Sequence, residues 1–190
     1  PVDWLLEWSN PSVRYFTLRD ILDKSEDDPQ VMAARKAIPN SLIAAKIMAK
    51  QNPQGHWEEP TSPYLPKYKS SYWQIMTLSQ LGMDKTDERI RKACEHIFQF
   101  QLEEGGFSTR EEGAKREYLW VRKKAMERGK EPPPFETWAK GKMREYEMSC
   151  LTGNVAAALI RMGYKNDARV KKALEWLVKV QNKDGGWLCP

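Results

Sequence analysis

An all-α fold of consecutive antiparallel helical hairpins is predicted by three features that recur together along this 190-residue chain. The first is a gapped pattern of Gln, three residues, Gly, one residue, then Trp or Phe, found at Gln51–Trp57, Gln101–Phe107 and Gln181–Trp187. The second is an apolar stretch closed by glycine, Ser71 to Gly82 before the second copy and Cys150 to Gly163 before the third. The third is an acid that opens another helix, at Asp87-Glu88-Arg89-Ile90-Arg91-Lys92-Ala93 and at Asp167-Ala168-Arg169-Val170-Lys171-Lys172-Ala173. A self-similar unit of this length decides architecture before composition does.

Each mark in the unit has a physical role. Gly82 and Gly163 suit a helix C-terminus, where the left-handed conformation carries no Cβ penalty. Asp87 and Asp167 suit a helix start, where a carboxylate accepts from unpaired N–H groups and meets the positive end of the dipole. Gly55, Gly105 and Gly185 permit a sharp turn that folds the following aromatic back over its helix. The glutamine is long enough to bond a neighbouring helix terminus and so to staple one hairpin to the next.

Taken in order, the amino end places Ser9-Asn10-Pro11 as an N-cap followed by proline at the first helical position, with Tyr15, Leu18, Ile21 and Leu22 on one face. Further helices are expected over Val31–Ile38 and Leu42–Lys50. Residues 58–69 carry three prolines and read as an extended loop across one end of the fold. The interval between the second and third glutamines is 80 residues against 50 for the first, so about thirty are inserted. That charged segment, about 108–147 and split by Pro132-Pro133-Pro134, is expected to form helices over Gly113–Arg128 and Phe135–Tyr146. It reads first as a solvated excursion and second as a lid. The chain thus divides into lead-in helices over 1–39, repeats at about 40–57, 70–107 and 149–187, and the insertion, all in one domain.

The three copies resemble the QW-type repeat of terpenoid cyclases, the squalene–hopene and oxidosqualene cyclases, and the hairpin resembles the repeat of protein prenyltransferase beta subunits. The resemblance implies a partial α/α toroid of inner and outer helices around a cavity. A closed ring of this kind takes about six hairpins and this chain holds three to four, so an incomplete ring and a fragment of a longer protein are expected. An open α-solenoid of HEAT type is the alternative, suggested by Asn10-Pro11-Ser12-Val13-Arg14.

The resemblance also implies chemistry, to be sought residue by residue. A cyclase that protonates a polyene uses D-x-D-D, in which like-charged neighbours keep one acid neutral. The nearest stretch, Asp23-Lys24-Ser25-Glu26-Asp27-Asp28, lacks that pattern and reads as helix capping; Asp27-Asp28-Pro29-Gln30-Val31 likewise departs from the D-D-x-x-D of diphosphate-ionising synthases. In prenyltransferases a zinc is held by Asp-x-Cys at an inner-helix start and by a later His. Cys150 stands at the matching start, Met148 replaces the Asp, and Glu147 lies one residue off. Zinc is therefore the implied cofactor, with Cys150, Glu147 and Cys189 as candidate ligands, and a packed Cys150 as the alternative. Such a helix start would favour thiolate. Tyr72 and Trp73 are candidate cavity aromatics whose ring faces could stabilise a carbocation. Cys94, His56 and His96 read as structural.

The formal charge of +5 is compatible with an anionic group such as a diphosphate, and the chain lacks the dense basic runs of a nucleic-acid binder. Three cysteines do not make a disulfide framework, and no apolar run approaches 18 residues, so a soluble cytoplasmic protein with no transmembrane segment is expected. Function narrows to a protein acting on an isoprenoid or other polyene in a toroid cavity. The alternative is a non-catalytic scaffold that binds a hydrophobic ligand, a protein partner or another copy of itself.

Overall fold

Three aspartates start helices in the same way. Oδ1 of Asp28, Asp87 and Asp167 accepts from the main-chain N–H two residues on, in Gln30, Arg89 and Arg169, each at 2.8 Å. The computed structural model describes residues 2–108, 111–143 and 148–187. In chain order its helices are α1 (Val2–Leu5), α2 (Pro11–Phe16), α3 (Pro29–Ala37), α4 (Leu42–Met48), α5 (Ser71–Gln80), α6 (Glu88–Phe98), α7 (Glu111–Glu127), α8 (Phe135–Met143), α9 (Ser149–Leu159) and α10 (Ala168–Lys179). The described residues contain no β-strand, only an isolated bridge between Gln101 and Phe107. None of their helices is long and apolar enough to cross a membrane.

The three capped helices α3, α6 and α10 pack behind α2, α5 and α9 respectively, and α5 lies directly against α9. Burial explains the pairing. Val31, Ile90 and Val170, three residues past each aspartate, are fully buried, as are Ala34, Ala93 and Ala173, six residues past. An apolar residue and a small one on the same helical face let each capped helix approach its partner closely. One core runs from Tyr15 and Leu18 through Ile75, Leu78 and Ile97 to Val155, Leu159 and Ala173. Gly82 and Gly163, at φ 88° and 94°, end the second and third front helices. Asp23, at φ 49°, takes that place after the first.

One expectation is corrected at the amino end. Ile21 and Leu22 do not share the buried face of Tyr15 and Leu18; both are exposed, because α2 continues into a π-helical turn over Thr17–Ile21 whose extra residue rotates them outward. The break expected near residue 40 is a 3₁₀ turn, Ile38–Asn40, that joins α3 to α4 around Pro39. The acidic run before Pro29 is used locally: Asp28 caps α3 and pairs with Lys24 at 3.0 Å, while Glu26 accepts from the Tyr15 hydroxyl at 3.1 Å.

The charged segment forms the α7–α8 pair, which packs largely on itself. The Tyr118 ring stands 5.2 Å from Phe135 and 5.4 Å from Trp138, and its hydroxyl donates to the Pro133 carbonyl at 2.6 Å. Tyr146, the expected end of the second of these helices, lies outside the described residues.

Candidate functional site: staples and an apolar cavity

The three Gln-x3-Gly-x-aromatic segments fold into the same turn. In each, glutamine Nε2 donates to the carbonyl of the glycine four residues on, at 3.1 Å for Gln51, 2.8 Å for Gln101 and 2.6 Å for Gln181. The first two also reach another helix. Gln51 donates to the Arg89 carbonyl in α6 at 3.0 Å, and Gln101 to the Arg169 carbonyl in α10 at 2.8 Å. The glycines make this approach possible: a Cβ on Gly55 would stand 2.6 Å from the Lys92 carbonyl oxygen, and one on Gly105 would stand 2.5 Å from that of Lys172. The aromatic then folds back as expected, with the Trp57 indole donating to the Ile47 carbonyl at 2.9 Å and that of Trp187 to Leu177 at 2.8 Å.

The turn also grips the next front helix. The Trp57 main-chain N–H donates to Ser71 Oγ at 3.0 Å, and that of Phe107 to Thr152 Oγ1 at 2.9 Å, both in buried surroundings. Two consecutive helix pairs are thus fixed by polar bonds at both members, which sets the first turns of α5 and α9 beside each other.

Between those helices lies a cavity of about 340 Å³. Tyr64, Trp73, Met76, Met148 and Leu151 form its apolar walls, with Thr77 and Gln80 of α5 and Cys150 and Asn154 of α9 supplying its polar lining. Prolines at 60, 63 and 66 keep residues 58–69 out of a helix, and this loop brings Tyr64 and Tyr68 onto Trp73, at ring separations of 5.2 and 4.8 Å. The Trp73 indole donates to the Tyr64 carbonyl at 2.9 Å and Gln74 Nε2 to that of Tyr68 at 2.7 Å, so loop and helix are fastened together. No carboxylate lines the cavity among the described residues.

The candidates from the sequence separate here. Trp73 lines the cavity, but Tyr72 does not: it is sealed in the core, its hydroxyl donating to the Ser108 carbonyl at 3.1 Å and its ring edge-on to Phe107. The reason is the helix period, which turns neighbouring side chains about 100° apart. Cys150 is exposed in the first turn of α9 and borders both this cavity and an opening toward Leu177 and Trp187. Glu147 and Cys189, the other proposed zinc ligands, lie outside the described residues. Among the described residues no group of three or more His, Cys, Asp or Glu side chains could hold a metal ion, and Met148, in the place of the family's aspartate, is a cavity wall.

Cys94 is fully buried with its sulfur 3.6 Å from that of Met162, and burial pushes its thiol pKa up to about 12. His56 and His96 are both buried, with ring centroids 5.3 Å apart. Burial first, and the His56 charge second, push the His96 pKa down to about 4, and its Nε2 has no hydrogen-bond partner. Sequence reasoning missed Tyr64 and Met148 as cavity residues, and Tyr68 as the ring that backs Trp73. The signal available was two tyrosines spaced among prolines just ahead of an aromatic helix start.

No protein-family model matches the chain, and no curated protein matches it.

Proposed function

We propose that the chain is an arc of an α/α toroid with QW-type repeats and that it binds an apolar chain of isoprenoid type between α5 and α9. The observation that carries this reading is the cavity itself, walled by Tyr64, Trp73, Met76, Met148 and Leu151 with no acid among its described lining residues. Its volume of about 340 Å³ falls at the lower end of ordinary ligand sites, and apolar walls with a few polar groups, here Thr77, Gln80 and Asn154, are what such sites use. Tyr64 and Trp73 offer ring faces to the unsaturated carbons of a polyene, and Tyr68 packs on Trp73 from outside the cavity lining. The matching turns at Gln51, Gln101 and Gln181 support the repeat reading, since each closes on its own glycine.

The role of these residues is binding and shaping. A protonation-initiated cyclisation would require a donor acid at the cavity, and none of its described lining residues can serve. The experiment is a fluorescence titration with farnesol, comparing the unaltered chain with Trp73→Phe. A saturable change in tryptophan emission that the variant loses is expected. An identical, non-saturating response in both proteins would contradict the reading.

A further inference from the structure

The staples and the helices they grip are out of register by one. Gln51 reaches α6 and Gln101 reaches α10, but among the described residues Gln181 reaches no helix, and no glutamine side chain reaches α3. A donor edge is left at one side of the fold and an acceptor edge at the other. We propose that a second copy of this chain docks head to tail, the Gln181–Trp187 turn and α10 of one copy seating on α2 and α3 of the next.

The two internal interfaces show what the docked edge has to cover. On α6, Cys94 and Phe98, seven and eleven residues past the capping Asp87, are buried by the following pair. The Met162 sulfur meets that of Cys94, the Tyr164 ring stands 5.7 Å from Phe98, and the Arg169 guanidinium lies 3.6 Å over the Phe98 ring. On α10 the corresponding residues are Leu174 and Val178, and they are 41% and 72% exposed. Trp57 and Phe107 are buried where Trp187 is 46% exposed, and among the described residues no atom lies within 4 Å of where a Cβ on Gly185 would stand. Apolar side chains in these positions, left in water, favour association.

The opposite edge repeats the cap and the apolar residue of these interfaces, with Lys24 and Gln30 where Tyr164 and Arg169 stand. Asp28 caps α3 as Asp87 and Asp167 cap the gripped helices, which presents the Gln30 carbonyl in the place of those of Arg89 and Arg169. Leu22, just before the left-handed Asp23, takes the place that Met162 holds before Gly163, and it is exposed. Because donor and acceptor edges are different surfaces, the contact is heterologous and propagates head to tail.

The test is the mass of the purified 190-residue chain by light scattering over a concentration series, alone and with one charge on each edge. Val178→Glu and Leu22→Glu both alter exposed side chains, so each variant keeps its helical circular dichroism. The unaltered chain is expected to exceed one chain's mass as concentration rises, and each variant to stay at one chain's mass. An equimolar mixture of the two variants retains one intact donor edge and one intact acceptor edge, and regains the mass of a pair. A single-chain mass at every concentration would overturn the proposal and leave the edge to a hairpin of some other polypeptide. Association indifferent to either charge, or not restored by mixing, would overturn it as well.

Discussion

The side-chain amide of Gln101 bonds the main-chain carbonyl of Arg169, 68 residues away, and in the same geometry closes its own turn on Gly105. One side chain thereby joins the end of α6 to the start of α10, and Arg169 returns the contact through Glu95 at 2.6 and 2.9 Å. Gln101→Ala should therefore lower stability by about 1–2 kcal/mol, the worth of two partly buried hydrogen bonds. Gln181→Ala, which loses only the bond to Gly185, should cost below about 0.5 kcal/mol in dilute solution. Urea denaturation of the two variants makes the comparison.

The glycines offer a sharper contrast. Gly105 and Gly185 both have positive φ, 114° and 87°, so alanine is strained at either. Only at Gly105 would the new Cβ also overlap backbone, at 2.5 Å from the Lys172 oxygen. Gly105→Ala is expected to cost about 2–5 kcal/mol and Gly185→Ala about 1–2 kcal/mol, read as the difference in thermal midpoints.

Thr152→Val keeps the shape of a fully buried side chain while removing the acceptor for the Phe107 N–H. A buried donor without a partner costs about 1–3 kcal/mol. Thr152→Ser, which keeps the hydroxyl, should recover most of that loss in the same denaturation assay.

His96 sets an acid limit on the fold. Its pKa is about 4 in the folded chain against 6.5 for an ordinary histidine, so the unfolded state takes up a proton first as pH falls. Stability from the neutral ring is complete above about pH 6.5 and is lost progressively toward pH 4. Below that window Asp87 and Asp167, whose pKa values are lowered chiefly by hydrogen bonds from Arg89 and Arg169, lose their contribution in turn. Thermal midpoints measured from pH 7 to 4.5 should fall for the unaltered chain and change less for His96→Phe.

The helices and their punctuation were legible because local chemistry dictates them. An aspartate two residues ahead of an unpaired N–H, or a glycine where φ must be positive, acts within one turn, and Asp87, Asp167, Gly82 and Gly163 behave so. The all-α class follows from those marks. Less legible was anything set by a single residue of register. The π turn after α2 shifted Ile21 and Leu22 outward, and one step along α5 separates core Tyr72 from cavity Trp73. The aromatic loop was hidden for a different reason: Tyr64 and Tyr68 reach Trp73 through a proline-rich path with no periodicity to read. Asp28 capped a helix as anticipated, but its equivalence to Asp87 and Asp167 emerged only from three matching bonds.

Cys150 provides the most direct measurement of the proposed function, since its exposed thiol borders the cavity while Cys94 is sealed in the core. The alkylation rate of Cys150 should fall, with saturation, as farnesol is added, and Trp73→Ala should weaken that protection by removing a cavity wall. An alkylation rate unchanged by farnesol at concentrations that saturate the tryptophan emission change would contradict an apolar ligand between α5 and α9.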